Sequence, residues 1–112
     1  MSQHSRRDYD LCNPIIIPPT QFHARPARLI KTTYSCNGAD ALVGMDLAKD
    51  IQLWIATANF IDFPPSDGCV WIDNEGKNEG LLDHLVRAQV IEFNNRFIGT
   101  NKGYAFECKV MI

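Results

Sequence analysis

Residues 27–48 read ARLIKTTYSCNGADALVGMDLA, and the pattern of this stretch decides the fold class. Asn37-Gly38 sits between two runs in which apolar and polar residues alternate, and both residues tolerate the positive φ of a two-residue type I′ turn. The stretch therefore predicts a β-hairpin of residues 27–36 with 39–48. Setting Cys36 opposite Ala39 puts Tyr34 across from Ala41, Thr32 from Val43, Ile30 from Met45 and Arg28 from Leu47. That face is apolar except at its outer end, which marks it as the buried one. The other face pairs Ser35 with Asp40, Thr33 with Leu42 and Lys31 with Gly44, and reads as wetter.

Further along the chain, residues 51–62 (IQLWIATANFID) are rich in β-branched and aromatic types, with apolar side chains on both alternating faces. That composition predicts a central strand covered on both sides, with a buried helix as the competing assignment. Pro64-Pro65-Ser66-Asp67-Gly68 breaks the chain, and Cys69 to Asp73 follow as a short strand. Leu82, Val86, Val90 or Gln89, Phe93 and Phe97 recur at three and four positions, which predicts a helix over about 79–96. The chain closes on a strand from Tyr104 to Ile112, with Tyr104, Phe106, Cys108, Val110 and Ile112 on one face and Glu107 and Lys109 on the other. The expected fold is α+β: a mainly antiparallel sheet of about five strands with one principal helix packed on one face.

Residues 1–26 carry Pro14, Pro18, Pro19 and Pro26, a density that excludes a helix or a central strand. They read as an extended arm, ahead of a single domain at 27–112. Within the arm, Ile15, Ile16 and Ile17 are too apolar to be left in water and should dock on the domain or on a neighbouring subunit. A helix of that predicted length is roughly 26 Å long and ~10 Å wide, so it covers only about two strands. The uncovered apolar surface, including Ile15, Ile16, Ile17 and Met111, predicts a homo-oligomer, a two-fold dimer being the commonest form. Curling the sheet into a barrel is the single-chain solution to the same problem.

The 112 residues are 46% hydrophobic, 21% charged and 10% aromatic, as in a single globular domain rather than a disordered or fibrous chain. No apolar run approaches the ~20 residues that span a bilayer, and the opening MSQHSRRDYD is not a secretory signal. The expectation is a cytoplasmic protein without a membrane partner. The net charge of -2 hides an asymmetry. Residues 40–83 hold nine carboxylates against Lys49 and Lys77, an acidic middle suited to a basic protein partner. Arg6, Arg7, Arg25 and Arg28 form only a modest basic arm, and the charge of the body opposes nucleic-acid binding.

Known chemical motifs are mostly excluded by spacing. Gly76-Lys77 is followed by Asn78 and lacks the earlier glycine of a phosphate loop. Aligning Gly76 to the glycine of a calcium loop puts Trp71 and Leu82 at ligand positions. His4, His23 and His84 are dispersed, and no C-x-x-C pair occurs, so neither a metal nor another cofactor is expected. The one arrangement open to thiol catalysis is Cys69 with His84 and Asp73. Trp54, Phe60 and Trp71, with Phe63, could line a pocket for a small apolar ligand. The leading functional expectation is a non-enzymatic protein-interaction domain. A small-molecule binding domain built on the aromatic residues, and an enzyme using Cys69 and His84, are the alternatives.

Cys12, Cys36, Cys69 and Cys108 read as reduced residues of a reducing compartment. All four should therefore react with a thiol reagent after denaturation without prior reduction, and a native disulfide in freshly isolated protein would contradict this.

Overall fold

The predicted hairpin forms, with a longer turn than Asn-Gly alone would make. In the computed structural model, which describes residues 14–101 and 103–112, β2 (Ala27–Thr33) pairs with β3 (Asp40–Asp46), Thr33 lying opposite Asp40 and Ile30 opposite Val43. The register thus shifts by two residues from the sequence expectation. Residues 35–38 form a four-residue loop closed by the Tyr34 amide on the Ala39 carbonyl and the Gly38 amide on the Tyr34 carbonyl, both 2.8 Å. Asn37 does not serve as half of a two-residue turn; its side-chain oxygen accepts from the Ala39 amide instead. The buried face is also corrected. Ala27, Leu29 and Leu42, on the face expected to be wetter, enter the main core, while Ile30, Ala41 and Val43 are buried on the other side.

Eight strands are present among the described residues, not five, and they form two sheets. The first has the order β1-β2-β3-β4, with β1 at Ile16–Ile17 and β4 at Gln52–Ile55. The second has the order β5-β6-β8-β7, from Thr57–Ala58, Cys69–Asp73, Gly103–Val110 and Ile91–Thr100. Every pairing is antiparallel. The stretch expected as one flat central strand is bent at Ala56, which belongs to neither β4 nor β5. Its amide donates to Leu42 of the first sheet and its carbonyl accepts from Asp73 of the second, both at 2.9 Å. One segment therefore hands the chain from sheet to sheet, and its apolar character on both sides reflects burial between them.

The core lies between the sheets and draws Ile17, Leu29, Leu42 and Trp54 from the first and Val70, Ile72, Ile91 and Cys108 from the second. The indole of Trp54 lies directly on Gly44, where a Cβ would collide with the ring. The β3–β4 register shifts at this point, between Gly44 and Met45. Lys31 Nζ donates to the Ile112 carbonyl at 3.2 Å and ties the end of the chain to β2.

The helix is the largest departure from expectation. Helix α1 spans only Leu81–Arg87 and buries Leu81, Leu82 and Leu85 in the core. It stops because Gln89 adopts φ 62°, the left-handed conformation. The Gln89 amide then reaches the Val86 carbonyl and the Val90 amide the Leu85 carbonyl, both 3.0 Å, the two bonds of a Schellman cap. Val90 and Leu85, the residues that this cap brings together, are both fully buried.

Residues 91–100, read as the second half of the helix, are strand β7. Phe93 and Phe97 are four apart, a spacing that places two residues on one face of a helix and equally on one face of a strand. The β7–β8 register shifts between Phe93 and Arg96, and Asn95 has φ 59°, so a bulge interrupts the alternation that would have revealed the strand.

Glycine adopts the left-handed conformation without the steric penalty that a side chain meets there. Gln89→Gly should therefore stabilise the protein by roughly 0.5–1 kcal/mol, where a continuous helix through residue 89 would instead be destabilised by glycine. Urea denaturation of the pair decides between the two signs.

Candidate functional site

Chemistry-bearing side chains gather on the face of the second sheet that turns away from the core. Alternation along β6 and β8 directs Trp71 and Glu107 to this face, where they are register partners, and Arg96 of β7 lies opposite Glu107. The proline-containing segment 59–67 folds over them as a strap. The Trp71 indole Nε1 donates to the Phe63 carbonyl at 2.7 Å, and the Phe60 ring meets Trp71 edge-on with centroids 6.4 Å apart. The Arg96 guanidinium lies 5.5 Å from the Trp71 ring centroid, within cation–π range.

Glu107 is fully buried, although its place on the strand's polar face suggested exposure. Its Oε2 accepts from the Ser66 amide and from Arg96, each at 2.8 Å, and its Oε1 accepts from the Asn94 side-chain amide. Arg96 also donates to the Ser66 hydroxyl at 2.9 Å. Burial acts to raise the Glu107 carboxyl, but the Ser66 amide, Asn94 and Arg96 outweigh it and hold the group below its ordinary range. Asn94 reaches this site from the β7 bulge, so the irregularity that hid the strand also supplies a ligand for the carboxylate.

Cys69 shares the neighbourhood, its sulfur receiving the Asn94 amide at 3.7 Å. Burial and then the negative charge of Glu107 push its thiol up, which keeps it protonated at neutral pH. Cys108, on the core side, is pushed up to about 12 by burial first and then by Cys69 and Glu107. Asp73 stands at the far end of β6 from Cys69, roughly 13 Å along the strand, and its carboxylate accepts from the Glu75 amide. His84 is half-buried on α1. Cys69 and Asp73 thus stand at opposite ends of one strand, and His84 belongs to the helix. The two tryptophans are also separate: Trp54 is in the core between the sheets, whereas Phe60 and Trp71 meet under the strap.

Cavities open on both sides of the strap. One, of about 240 Å³, is lined by Asp40, Asn59, Ser66, Cys69 and Trp71, among others. A second, of about 300 Å³, is lined by Ala58, Phe60, Asp73, Thr100, Asn101, Tyr104 and Ala105.

The other face of the β7–β8 ribbon continues the core face beyond the cover of the first sheet, and it is aromatic. Phe93, Phe97 and Tyr104 are 49%, 64% and 52% exposed, and Met111 is 48% exposed. Phe97 contacts Tyr104 and Phe106, and Phe93 contacts Phe106, at centroid distances of 5.4 to 6.4 Å. Hollows of about 550 and 430 Å³ flank Phe93, the first reaching Met111 and the second Phe97.

Of the residues expected at an interface, Met111 joins this aromatic face, whereas the isoleucine triplet lies on the first sheet. Ile17 is fully buried in the core, Ile15 packs against it and Ile16 is 42% exposed. In the basic arm, Arg25 Nε pairs with Asp46 at 2.6 Å. The Ala48 amide and Arg25 hold the Asp46 carboxyl below its usual value, against the effect of burial. His4, Arg6, Arg7 and Cys12 lie outside the described residues. Among the described residues, Cys36, Cys69 and Cys108 are free, no group of three or more His, Cys, Asp or Glu could hold a metal ion, and no helix is long and apolar enough to cross a membrane. Comparison with protein-family models, with curated proteins and with solved structures finds no match.

Sequence reading missed Glu107, Arg96 and Asn94 as a group because their meeting depends on the β7–β8 pairing. It missed Phe93 and Phe97 as surface residues because the helical assignment buried them. Replacing Glu107 with Gln should destabilise the protein by roughly 1–3 kcal/mol at neutral pH, since the Ser66 and Asn94 donors lose a charged acceptor while the half-exposed Arg96 stays hydrated. The folded-state value of Glu107 is lowered, so its contribution is complete above the ordinary glutamate value of about 4.3 and is lost as pH falls through the folded value. Denaturation curves of the parent and Glu107→Gln should accordingly converge as pH is lowered below that range.

Proposed function

We propose that this chain is a protein-interaction domain that pairs with a second copy of itself through the aromatic face of β7 and β8. The observation that carries the reading is the exposure of Phe93, Phe97, Tyr104 and Met111 on one continuous face. Side chains of this size present roughly 150–250 Å² each, so the four together expose on the order of 400 Å². An apolar patch of that size is at the level that commonly marks an interaction site, and it is about half of the ~800 Å² that each partner buries in a stable interface.

The relief of the face favours a second copy. A projecting Phe97 ring stands beside hollows that flank Phe93, so knob and socket occur in one patch, as an isologous two-fold contact requires. The bulge at Asn94 and Asn95 disrupts the backbone edge of β7, which favours pairing through side chains over continuation of the sheet from copy to copy. This reading keeps the homo-oligomer expected from the sequence and, of the residues expected there, retains Met111 while replacing the isoleucine triplet with Phe93, Phe97 and Tyr104. The second sheet now covers much of the apolar surface on which that expectation was built.

Light scattering coupled to size exclusion should give a dimeric mass for the parent at micromolar concentration. Phe97→Asp should give a monomer of unchanged circular dichroism, because Phe97 is mostly exposed and its loss changes stability by roughly 0.5 kcal/mol or less. A monomeric parent across a dilution series would overturn the proposal.

A further inference from the structure

The loop that closes the first hairpin carries a reactive dipeptide, Asn37-Gly38, under restraint from the strap. Asn37 is exposed, and nothing lies within 4 Å of where a Cβ on Gly38 would stand, so both residues are open to water. In an Asn-Gly pair the backbone nitrogen attacks the side-chain carboxamide readily, because glycine has no side chain to shield it. In this fold both reacting groups are held. The Gly38 amide donates to the Tyr34 carbonyl at 2.8 Å. Asn37 Oδ1 accepts from the Ala39 amide at 3.1 Å and from Asn59 Nδ2 at 3.2 Å, while Asn37 Nδ2 donates to Asn59 Oδ1 at 3.1 Å. Asn59, the first residue of the strap, thus clasps both polar atoms of the Asn37 carboxamide.

These contacts act on the reaction in opposite directions. Two N–H donors on Oδ1 polarise the carboxamide, as an oxyanion hole does. The nucleophile decides the outcome: the Gly38 nitrogen attacks only after losing the proton that it shares with Tyr34, and the carboxamide must turn toward it, away from Ala39 and Asn59. Each net hydrogen bond that must open first reduces the reacting population by a factor of about two to ten.

We propose that Asn37 is a self-modification site gated by Asn59: it is preserved while the loop is closed on the strap, and it converts to aspartate or isoaspartate when the loop opens. The deprotonated Gly38 nitrogen bonds to Cγ of Asn37, the Cγ–Nδ2 bond breaks, and Nδ2 takes up a proton and leaves as ammonia. Water then opens the succinimide at either carbonyl, so water is consumed and ammonia released with no redox change. Neither product closes the clasp again. A carboxylate at residue 37 has no N–H for Asn59 Oδ1, and isoaspartate adds a backbone atom to a loop closed by two bonds of 2.8 Å. The conversion is a one-way record of loop opening, made beside the cavity that Gly38, Asp40 and Asn59 line. None of these residues belongs to the aromatic face, so the site stands whether or not two copies pair there.

The test incubates the full chain at neutral pH and physiological temperature, native and in guanidinium chloride, and follows tryptic peptide 32–49, in which Asn37 is the sole asparagine, by chromatography and mass spectrometry that separate its Asn, Asp and isoaspartate forms. Conversion in the native protein should be at least about tenfold slower than in the unfolded chain. Asn59→Ala should speed native conversion about threefold to tenfold with unchanged circular dichroism, and Asn59→Asp, which keeps the acceptor for Asn37 Nδ2 and loses the donor, should fall between that variant and the parent. The parent alone gives an independent reading: in denaturant below the unfolding transition, conversion at residue 37 and hydrogen exchange of the Gly38 amide should rise in parallel. Native conversion as fast as in the unfolded chain, a folded Asn59→Ala variant converting at the parent's rate, or conversion that does not follow Gly38 exchange would each overturn the proposal.

Discussion

A carboxylate without solvent contact must find hydrogen-bond donors for both oxygens, and the arrangement of the second sheet follows from how Glu107 does so. Its donors come from three segments far apart in sequence: the strap at Ser66, the β7 bulge at Asn94, and β7 itself at Arg96. Each is held in place by the same carboxylate. The strap is thereby closed over Trp71, whose indole N–H finds the Phe63 carbonyl, and β7 is fixed against β8 in the register that sets Phe97 beside Phe106. A buried carboxylate paired with a half-exposed arginine contributes little net stability over an apolar substitute, but removing the carboxylate leaves several donors stranded. Its consequence here is to fix one arrangement of strap and edge strand.

That arrangement decides which surfaces are left for function. One side of the second sheet is closed by the strap, and most of the other is closed by the first sheet and α1. The remainder is the end of the β7–β8 ribbon, where the row of side chains that lines the core continues outward as Phe97 and Tyr104. Closure of the two sheets depends in turn on close approach at Gly44, which admits the Trp54 indole, and on Ala56, whose backbone bonds to both sheets. The exposed aromatic face and the cavity at Phe60 are therefore products of the same folding constraints. They lie on opposite faces of one hairpin, the Tyr104 ring belonging to the aromatic one.

The legible parts of this fold were those set by local sequence. Asn37-Gly38 between alternating runs gave a hairpin, Cys69 to Asp73 formed a strand with those bounds, and the alternation of Tyr104, Phe106 and Cys108 against Glu107 and Lys109 matches their division between faces. What was not legible depends on contacts between distant segments. The hairpin register moved by two because Asn37 bonds to the Ala39 amide, and the buried face changed because the second sheet packs on Leu29 and Leu42. The helix was overextended because a spacing of four suits both periods, and because Gln89, an unremarkable residue in sequence, takes the left-handed cap conformation. Glu107 looked like a solvated strand residue; nothing local marks a carboxylate whose three partners arrive from elsewhere. At the candidate sites, Phe60, Trp71 and Met111 were visible as aromatic or apolar residues, whereas Phe97 and Arg96 became visible only with the strand.

Glu107 is buried, ionised and held by the strap and β7 together. Carbon-detected NMR titration of its side-chain carboxyl measures this directly. The resonance is expected to titrate below the usual glutamate value of about 4.3, with the Ser66 amide and the Asn94 side-chain amide shifting in the same transition. A Glu107 titration at or above that value, or one that leaves Ser66 and Asn94 unmoved, would contradict it.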